Sequence, residues 1–168
     1  MALLKILTYP DDILRRKAEP VEKIDDEMKR LVNDMAETMY NEPGVGLAAN
    51  QVGVLKRVVV IDVEYTDGKP NLIALINPEI IAKEGISTVD EGCLSLPGVT
   101  EPVERSAKVT VRALDTDGTS RDITADGFFA HAVQHELDHL EGVLLIDHLS
   151  FLKRKMLSRE LVKRKRNG

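Results

Sequence analysis

The chain has 168 residues, 43% hydrophobic and 30% charged, with a single cysteine and a formal net charge of −5. That balance suits one domain with a sizeable core, and it excludes an internal disulfide and a membrane-spanning apolar run. The charge is uneven: residues 151–168 carry eight Lys/Arg against Glu160, a net +7 that leaves −12 for residues 1–150.

The opening Met1-Ala2-Leu3-Leu4-Lys5-Ile6-Leu7 is too short for an export signal, lacks a basic leader, and is followed at once by Asp11 and Asp12. The expected compartment is the cytoplasm, where a lone thiol stays reduced. Pro10-Asp11-Asp12-Ile13-Leu14 predicts a short helix opened by proline and acids and closed before Pro20. From Asp25 to about Tyr40, Met28, Leu31, Val32, Met35 and Met39 recur at helical spacing, which predicts an amphipathic helix on a core. Residues 57–63 and 72–76 predict strands joined through a turn at Asp67-Gly68. Ile80-Ile81, Val109 to Leu114 and Ile123 add further strands, with Asp117-Gly118 turning one pair. A helix is expected from Asp126 as N-cap to Gly142, and a last one from Phe151, capped by Ser150, into the basic tail. Within that last helix, Phe151, Leu152, Met156 and Leu161 are expected to face the core in part. Strands grouped in the middle with helices before and after predict an α+β fold of antiparallel strands around a central helix.

The central helix carries His135-Glu136-Leu137-Asp138-His139. Residues i and i+4 lie on one helix face about 6 Å apart along the axis, so both imidazoles can reach one ion while Glu136 serves water beside it. Phe129, Val133, Leu137 and Leu140 form a stripe for the core; Phe128, His131, Ala132, His135 and His139 form a second stripe for a site. A catalytic ion needs a third ligand and an open position. The extended metallopeptidase pattern would put histidine at 145, where the chain has Leu145, and Glu160 lies in the basic terminal helix. His131 sits about 12 Å of rise from His139, too far to share an ion easily, and reads as a pocket-wall or surface residue. Upstream, Cys93 follows Gly92 and as a thiolate would complete a Cys-His-His set.

Three segments in order, Gly44-Val45-Gly46-Leu47-Ala48-Ala49-Asn50-Gln51, Glu91-Gly92-Cys93-Leu94-Ser95 and His135-Glu136-Leu137-Asp138-His139, resemble the three motifs of the peptide deformylases. The resemblance covers nearly the whole chain. It implies a metal-dependent hydrolase that removes the N-formyl group from the N-terminal formylmethionine of new polypeptides and releases formate. Matched residue by residue, it implies Cys93, His135 and His139 as metal ligands and Glu136 as general base and acid. It assigns the Gln51 side-chain amide and the Leu94 backbone N–H as oxyanion donors. Gly46 becomes a partner of the substrate backbone, and Val45, Val89, Phe128, His131 and Ala132 line a pocket for the methionine side chain. His131 and Thr100 fall where many bacterial relatives carry other residues. Glu91 and Arg105 read either as a pair supporting the Cys93 loop or as an ordinary surface ion pair.

One thiolate and two imidazoles suit Zn, Fe(II), Co or Ni, and the resemblance implies Fe(II) in the cell. It implies formylmethionyl nascent peptides as partners and gives the basic helix, residues 151–166, a meaning as a ribosome-docking arm; neither membrane nor direct DNA binding is expected. Two other classes stay open. A metallopeptidase lacks its third histidine at Leu145, and a structural zinc module would need a fourth side chain to close the site.

Overall fold

The computed structural model describes residues 2–42, 44–64 and 69–167. Asp25 caps the first long helix, α1 (Asp26–Asn41), by accepting the Met28 backbone N–H at 3.0 Å. Its Val32, Met35 and Met39 are buried on one face, as the spacing predicts. The short helix expected after Pro10 is a single 3-10 turn, Asp12–Arg15, capped by Asp11.

Five strands form one antiparallel sheet in the order β1 (Gly46–Ala48), β2 (Val58–Ile61), β3 (Ile73–Glu84), β6 (Lys108–Leu114) and β7 (Ser120–Asp126). A separate two-stranded sheet pairs β4 (Ser87–Gly92) with β5 (Thr100–Arg105). Val58-Val59-Val60-Ile61 is buried throughout because helices cover both faces of β2. Val58 and Val60 pack toward Val32, Met35 and Met39 of α1. Val59 and Ile61 pack toward Ala130, Val133, Leu137 and Leu140 of the central helix, α2 (Gly127–Leu140). Each such fully buried side chain contributes about 1.5–3 kcal/mol.

Ile80-Ile81 is not a separate strand. It continues β3 past an irregularity in its pairing with β6 between Ile76 and Glu79, where Asn77 adopts a φ of 52° and its side chain bonds both the N–H and the C=O of Val21. The Asp117-Gly118 turn joins β6 to β7, with the Asp115 carboxylate accepting the Asp117 and Thr119 N–H groups. The turn expected at Asp67-Gly68 lies outside the described residues.

The central helix is closed just past Leu140 and its cap Glu141 by Gly142, whose φ is 74°. A side chain there would strike the Arg15 carbonyl oxygen, so glycine lets the helix end seat against the N-terminal segment. A third apolar cluster joins Leu14, Leu96, Val99, Val103, Leu144, Leu145, Ile146 and Leu161. Leu145, at the place a metallopeptidase histidine would take, is core.

The terminal helix α3 (Phe151–Asn167) starts where Ser150 predicts, with the Lys153 N–H donated to Ser150 Oγ at 3.3 Å. Leu161 is buried as expected, but Phe151, Leu152 and Met156 are 80%, 77% and 57% exposed, against the expectation that they face the core. The helix is held instead by polar tethers: Lys153 to Glu101, Arg154 to Asp147, Arg164 to the Pro97 carbonyl and Lys165 to the Thr8 carbonyl. Among the described residues, no helix is long and apolar enough to cross a membrane.

Candidate active site

Three pieces of chain converge beside α2. The glycine strip runs into β1 and a 3-10 turn, Ala49–Val52; β4 ends in the loop bearing Cys93; and α2 supplies both motif histidines. Cys93 Sγ lies 3.4 Å from His139 Nε2, and His139 Nε2 lies 3.3 Å from His135 Nε2. The ligand atoms of all three residues fall within 4.8 Å of one another. In a tetrahedral site with bonds of about 2.05 Å to nitrogen and about 2.3 Å to sulfur, the N–N and S–N edges are about 3.3 and 3.6 Å. The triad therefore has the spacing and the donor chemistry to hold a divalent ion. Burial keeps the His139 ring well below the usual histidine range, so it is neutral, as a ligand must be.

Glu91 organises the histidines. Its Oε1 accepts from His135 Nδ1 at 3.0 Å and Arg105 Nη2 at 2.9 Å, and its Oε2 from His131 Nδ1 at 2.9 Å and Arg105 Nε at 2.7 Å. Burial would raise this carboxyl, but the His135 and Arg105 hydrogen bonds and the Arg105 charge hold it down at about 2. An ionised carboxylate only accepts, so both histidines present N–H from Nδ1. Burial would lower the His135 ring, but Glu136, Cys93 and Glu91 hold it well above the usual histidine range; once deprotonated at Nε2, as ligation requires, its lone pair faces Cys93 and His139. The alternative of a surface ion pair for Glu91 and Arg105 is excluded, since their side chains are 6% and 4% exposed. Arg105 also donates to Asp138 at 2.8 Å, and Asp138 lies 2.7 Å from His148 on the far side of the helix.

Glu136 is buried, and burial pushes its carboxyl up to about 7. Among the described residues its Oε1 has no hydrogen-bond partner. A carboxylate so placed is poised to exchange a proton at neutral pH. Gly46 lies against it: a Cβ there would sit 2.5 Å from Glu136 Oε2.

These groups open on a cavity of about 560 Å³. Val45, Gly46, Gln51, Cys93, Leu94, Phe128, His131, Ala132, His135 and Glu136 all line it. Thus the structure brings together the expected Glu136, Gln51 and Leu94 with the pocket residues Val45, Gly46, Phe128, His131 and Ala132. Val89 is the exception among the expected wall residues. It shares the inward face of β4 with Ser87 and Glu91 but lies outside the cavity lining. His139 is not part of the lining; its Nε2 lies beside Cys93 Sγ and His135 Nε2.

Gln51 is buried and its amide is fixed at both ends. Oε1 accepts the Ala48 N–H at 2.9 Å, while Nε2 points to Ser95 Oγ at 3.1 Å and Cys93 Sγ at 3.6 Å. Sequence reading quoted Ser95 in the Cys93 motif but gave it no role; fully buried, it orients that amide, and a serine set between Leu94 and Leu96 was the available signal. Sequence reading missed Ser87, whose Oγ lies 2.8 Å from His131 Nε2. Leu94 lines the cavity, and among the described residues its backbone N–H has no protein acceptor.

Comparisons with known proteins agree with this geometry. The family model for polypeptide deformylase matches residues 3–155. A peptide deformylase of Alkalilimnicola ehrlichii is 52% identical over 168 residues, covering 100% of this chain and 94% of that protein. One from Nitrosococcus oceani is 51% identical over 166 residues, 99% of this chain and 98% of the relative. The crystal structure of a Legionella pneumophila peptide deformylase superposes with a TM-score of 0.91 at 48% identity, covering 98% of this chain and 96% of that one. That of Ehrlichia chaffeensis peptide deformylase in complex with actinonin gives 0.92 at 38% identity, with 99% of each chain covered. With a family match over most of its length and relatives at half identity across the whole of it, this chain belongs to the polypeptide deformylase family.

Proposed function

We propose that residues 1–168 form one catalytic domain that cleaves the formyl group from formylmethionyl nascent peptides through a single divalent ion held by Cys93, His135 and His139. Family membership makes the chain a metal-dependent hydrolase; the observation that carries the residue assignment is the clustering of the three ligand atoms, with two separations matching a tetrahedral site, beside a buried Glu136 whose Oε1 has no partner among the described residues. An ion held by these three residues would supply Lewis acidity and lower the pKa of water beside it.

The remaining chemistry belongs to the chain's own side chains. Glu136 takes a proton from the water that attacks the formyl carbon. It then delivers that proton to the amine nitrogen as the carbon–nitrogen bond breaks, so the products are formate and a free N-terminus. Charge developing on the formyl oxygen meets the Gln51 amide, already fixed by Ala48 and Ser95, and the Leu94 backbone N–H. The Gly46 backbone pairs with the peptide, and the methionine side chain occupies the part of the cavity walled by Val45, Phe128, His131 and Ala132. Apolar and aromatic surface there suits a thioether.

The metal in the cell is Fe(II), on the family resemblance; Zn, Ni or Co satisfy the same donors in purified protein. The working compartment is the reducing cytoplasm, a reading supported by the half-buried free Cys93 at the site. The basic α3 docks on the ribosome. Supporting this, Lys155, Arg159, Lys163 and Arg166 are exposed and form no ion pair with the described residues, next to exposed Phe151, Leu152 and Met156.

The test is formate release from a short formylmethionyl peptide by nickel- or iron-loaded protein. Formate in proportion to enzyme, with none from the acetylated peptide, is the expected result. No formate from protein carrying one metal per chain would overturn the reading.

A further inference from the structure

The metal triad spans two elements that no backbone ladder joins. Cys93 follows β4, which pairs only with β5, whereas His135 and His139 ride on α2. Among the described residues, no backbone hydrogen bond connects β4 to α2. Their register therefore depends on side chains. One fastening is Glu91 to His135 at 3.0 Å. Arg105 adds a bridge, donating to Glu91 and, at 2.8 Å, to Asp138 of α2, so both of these fastenings act at the Cys93 end of the strand.

His131, one helical turn before His135, supplies a third and carries it to the far end of β4. Its ring is 1% exposed, and both nitrogens are used inward: Nδ1 donates to Glu91 Oε2 at 2.9 Å and Nε2 accepts from Ser87 Oγ at 2.8 Å. Ser87 and Glu91 lie four residues apart on the inward face of β4, at the two ends of the strand. One imidazole thus straps both ends of the Cys93 strand to the helix that bears the other two ligands.

We infer that His131 is a positioning residue for the metal site, acting through Ser87 and Glu91 to hold Cys93 in register with His135 and His139. Its ring walls the cavity as well, but with both nitrogens committed it offers substrate only carbon surface. The inference rests on the metal assignment proposed above. It extends the usual logic of outer partners, whose loss costs about 10–100-fold in metal affinity, to a residue that touches no ligand atom.

The experiment measures Co(II) affinity by chelator competition, followed through the thiolate-to-cobalt absorption band, in wild type, His131→Leu, His131→Gln and Ser87→Ala. His131→Leu keeps an apolar filling of the space and removes both bonds. It should bind Co(II) at least about ten-fold more weakly, with a shifted thiolate band. Ser87→Ala should move affinity less but in the same direction at an unchanged thermal midpoint, and His131→Gln, which retains a donor toward Glu91, should recover part of the loss. Wild-type affinity and an unshifted band in Ser87→Ala and His131→Gln would overturn the inference, even if His131→Leu did not fold. Failure of wild type itself to take one Co(II) would instead remove the metal assignment, and the inference with it.

Discussion

Gly46 and Glu136 compete for one volume: a Cβ on the glycine would lie 2.5 Å from the Glu136 carboxylate oxygen and 2.9 Å from its carboxyl carbon. The close approach seats the carboxylate beside the strip that forms one wall of the cavity. Gly46→Ala should therefore displace Glu136 while leaving Cys93, His135 and His139 in place. We expect a fall in kcat of about 100-fold, within the range by which a small misplacement of a reacting group lowers rate, with metal content held at one per chain. Turnover within two-fold of wild type would show that Glu136 adjusts without cost.

Arg105 should matter for stability more than its place outside the cavity suggests. Its guanidinium is nearly fully buried between Glu91 and Asp138. Arg105→Leu leaves two carboxylates without their main counter-charge, a loss of about 3–5 kcal/mol for a broken buried pair. Urea unfolding at neutral pH measures it, and a change under about 1 kcal/mol would contradict the account.

Asp147 ties three segments together. It accepts from the Arg15 guanidinium and from the Leu144 N–H, and it pairs with Arg154 of α3. Burial opposes its ionisation, yet the Arg15 hydrogen bonds, the Leu144 N–H and the two arginine charges hold its pKa below the ordinary value of 3.8. A depressed folded pKa gives stability that is present above the unfolded value and lost as pH falls through the folded one. With Arg15 partly exposed, the contribution is about 1 kcal/mol. Asp147→Asn should lower the urea midpoint at pH 7, with the gap closing below about pH 4. A gap independent of pH would count against it.

The outward face of α3 separates docking from folding. Changing Lys155, Arg159, Lys163 and Arg166 to glutamate should weaken co-sedimentation with ribosomes more than about ten-fold and abolish its salt dependence. The thermal midpoint should stay put, because Leu161, Lys153, Arg164 and Lys165 hold the helix. Deleting residues 151–168 should instead lower stability as well. Ribosome binding unaffected by the charge reversals would sink the docking proposal.

The central helix was legible because period and motif coincide: histidines four apart, a stripe of Phe129, Val133, Leu137 and Leu140, and a closing glycine. α1 and the β6–β7 turn were legible for equally local reasons, a helical stripe and an Asp-Gly. The β4–β5 sheet was not. Thr100-Glu101-Pro102-Val103-Glu104-Arg105 carries a proline and three charges, which propensity counts against a strand, and its pairing with β4 is a tertiary fact. Phe151, Leu152 and Met156 misled for the opposite reason, since apolar spacing on a helix does not reveal whether a partner surface exists. At the site, residue types identified the ligands, but the two histidine donors on Glu91 and the strap from His131 to Ser87 depend on strands and helices meeting across 40 or more residues of chain.

Glu136 is the group on which the proposed chemistry turns, and Glu136→Gln tests it with the least disturbance of shape. Metal content and formate release from a formylmethionyl peptide would be measured together on the nickel-loaded variant and wild type. One metal per chain is expected in both, with a loss of turnover of at least about 100-fold in the variant. A Glu136→Gln protein that keeps its metal and releases formate at the wild-type rate would contradict it.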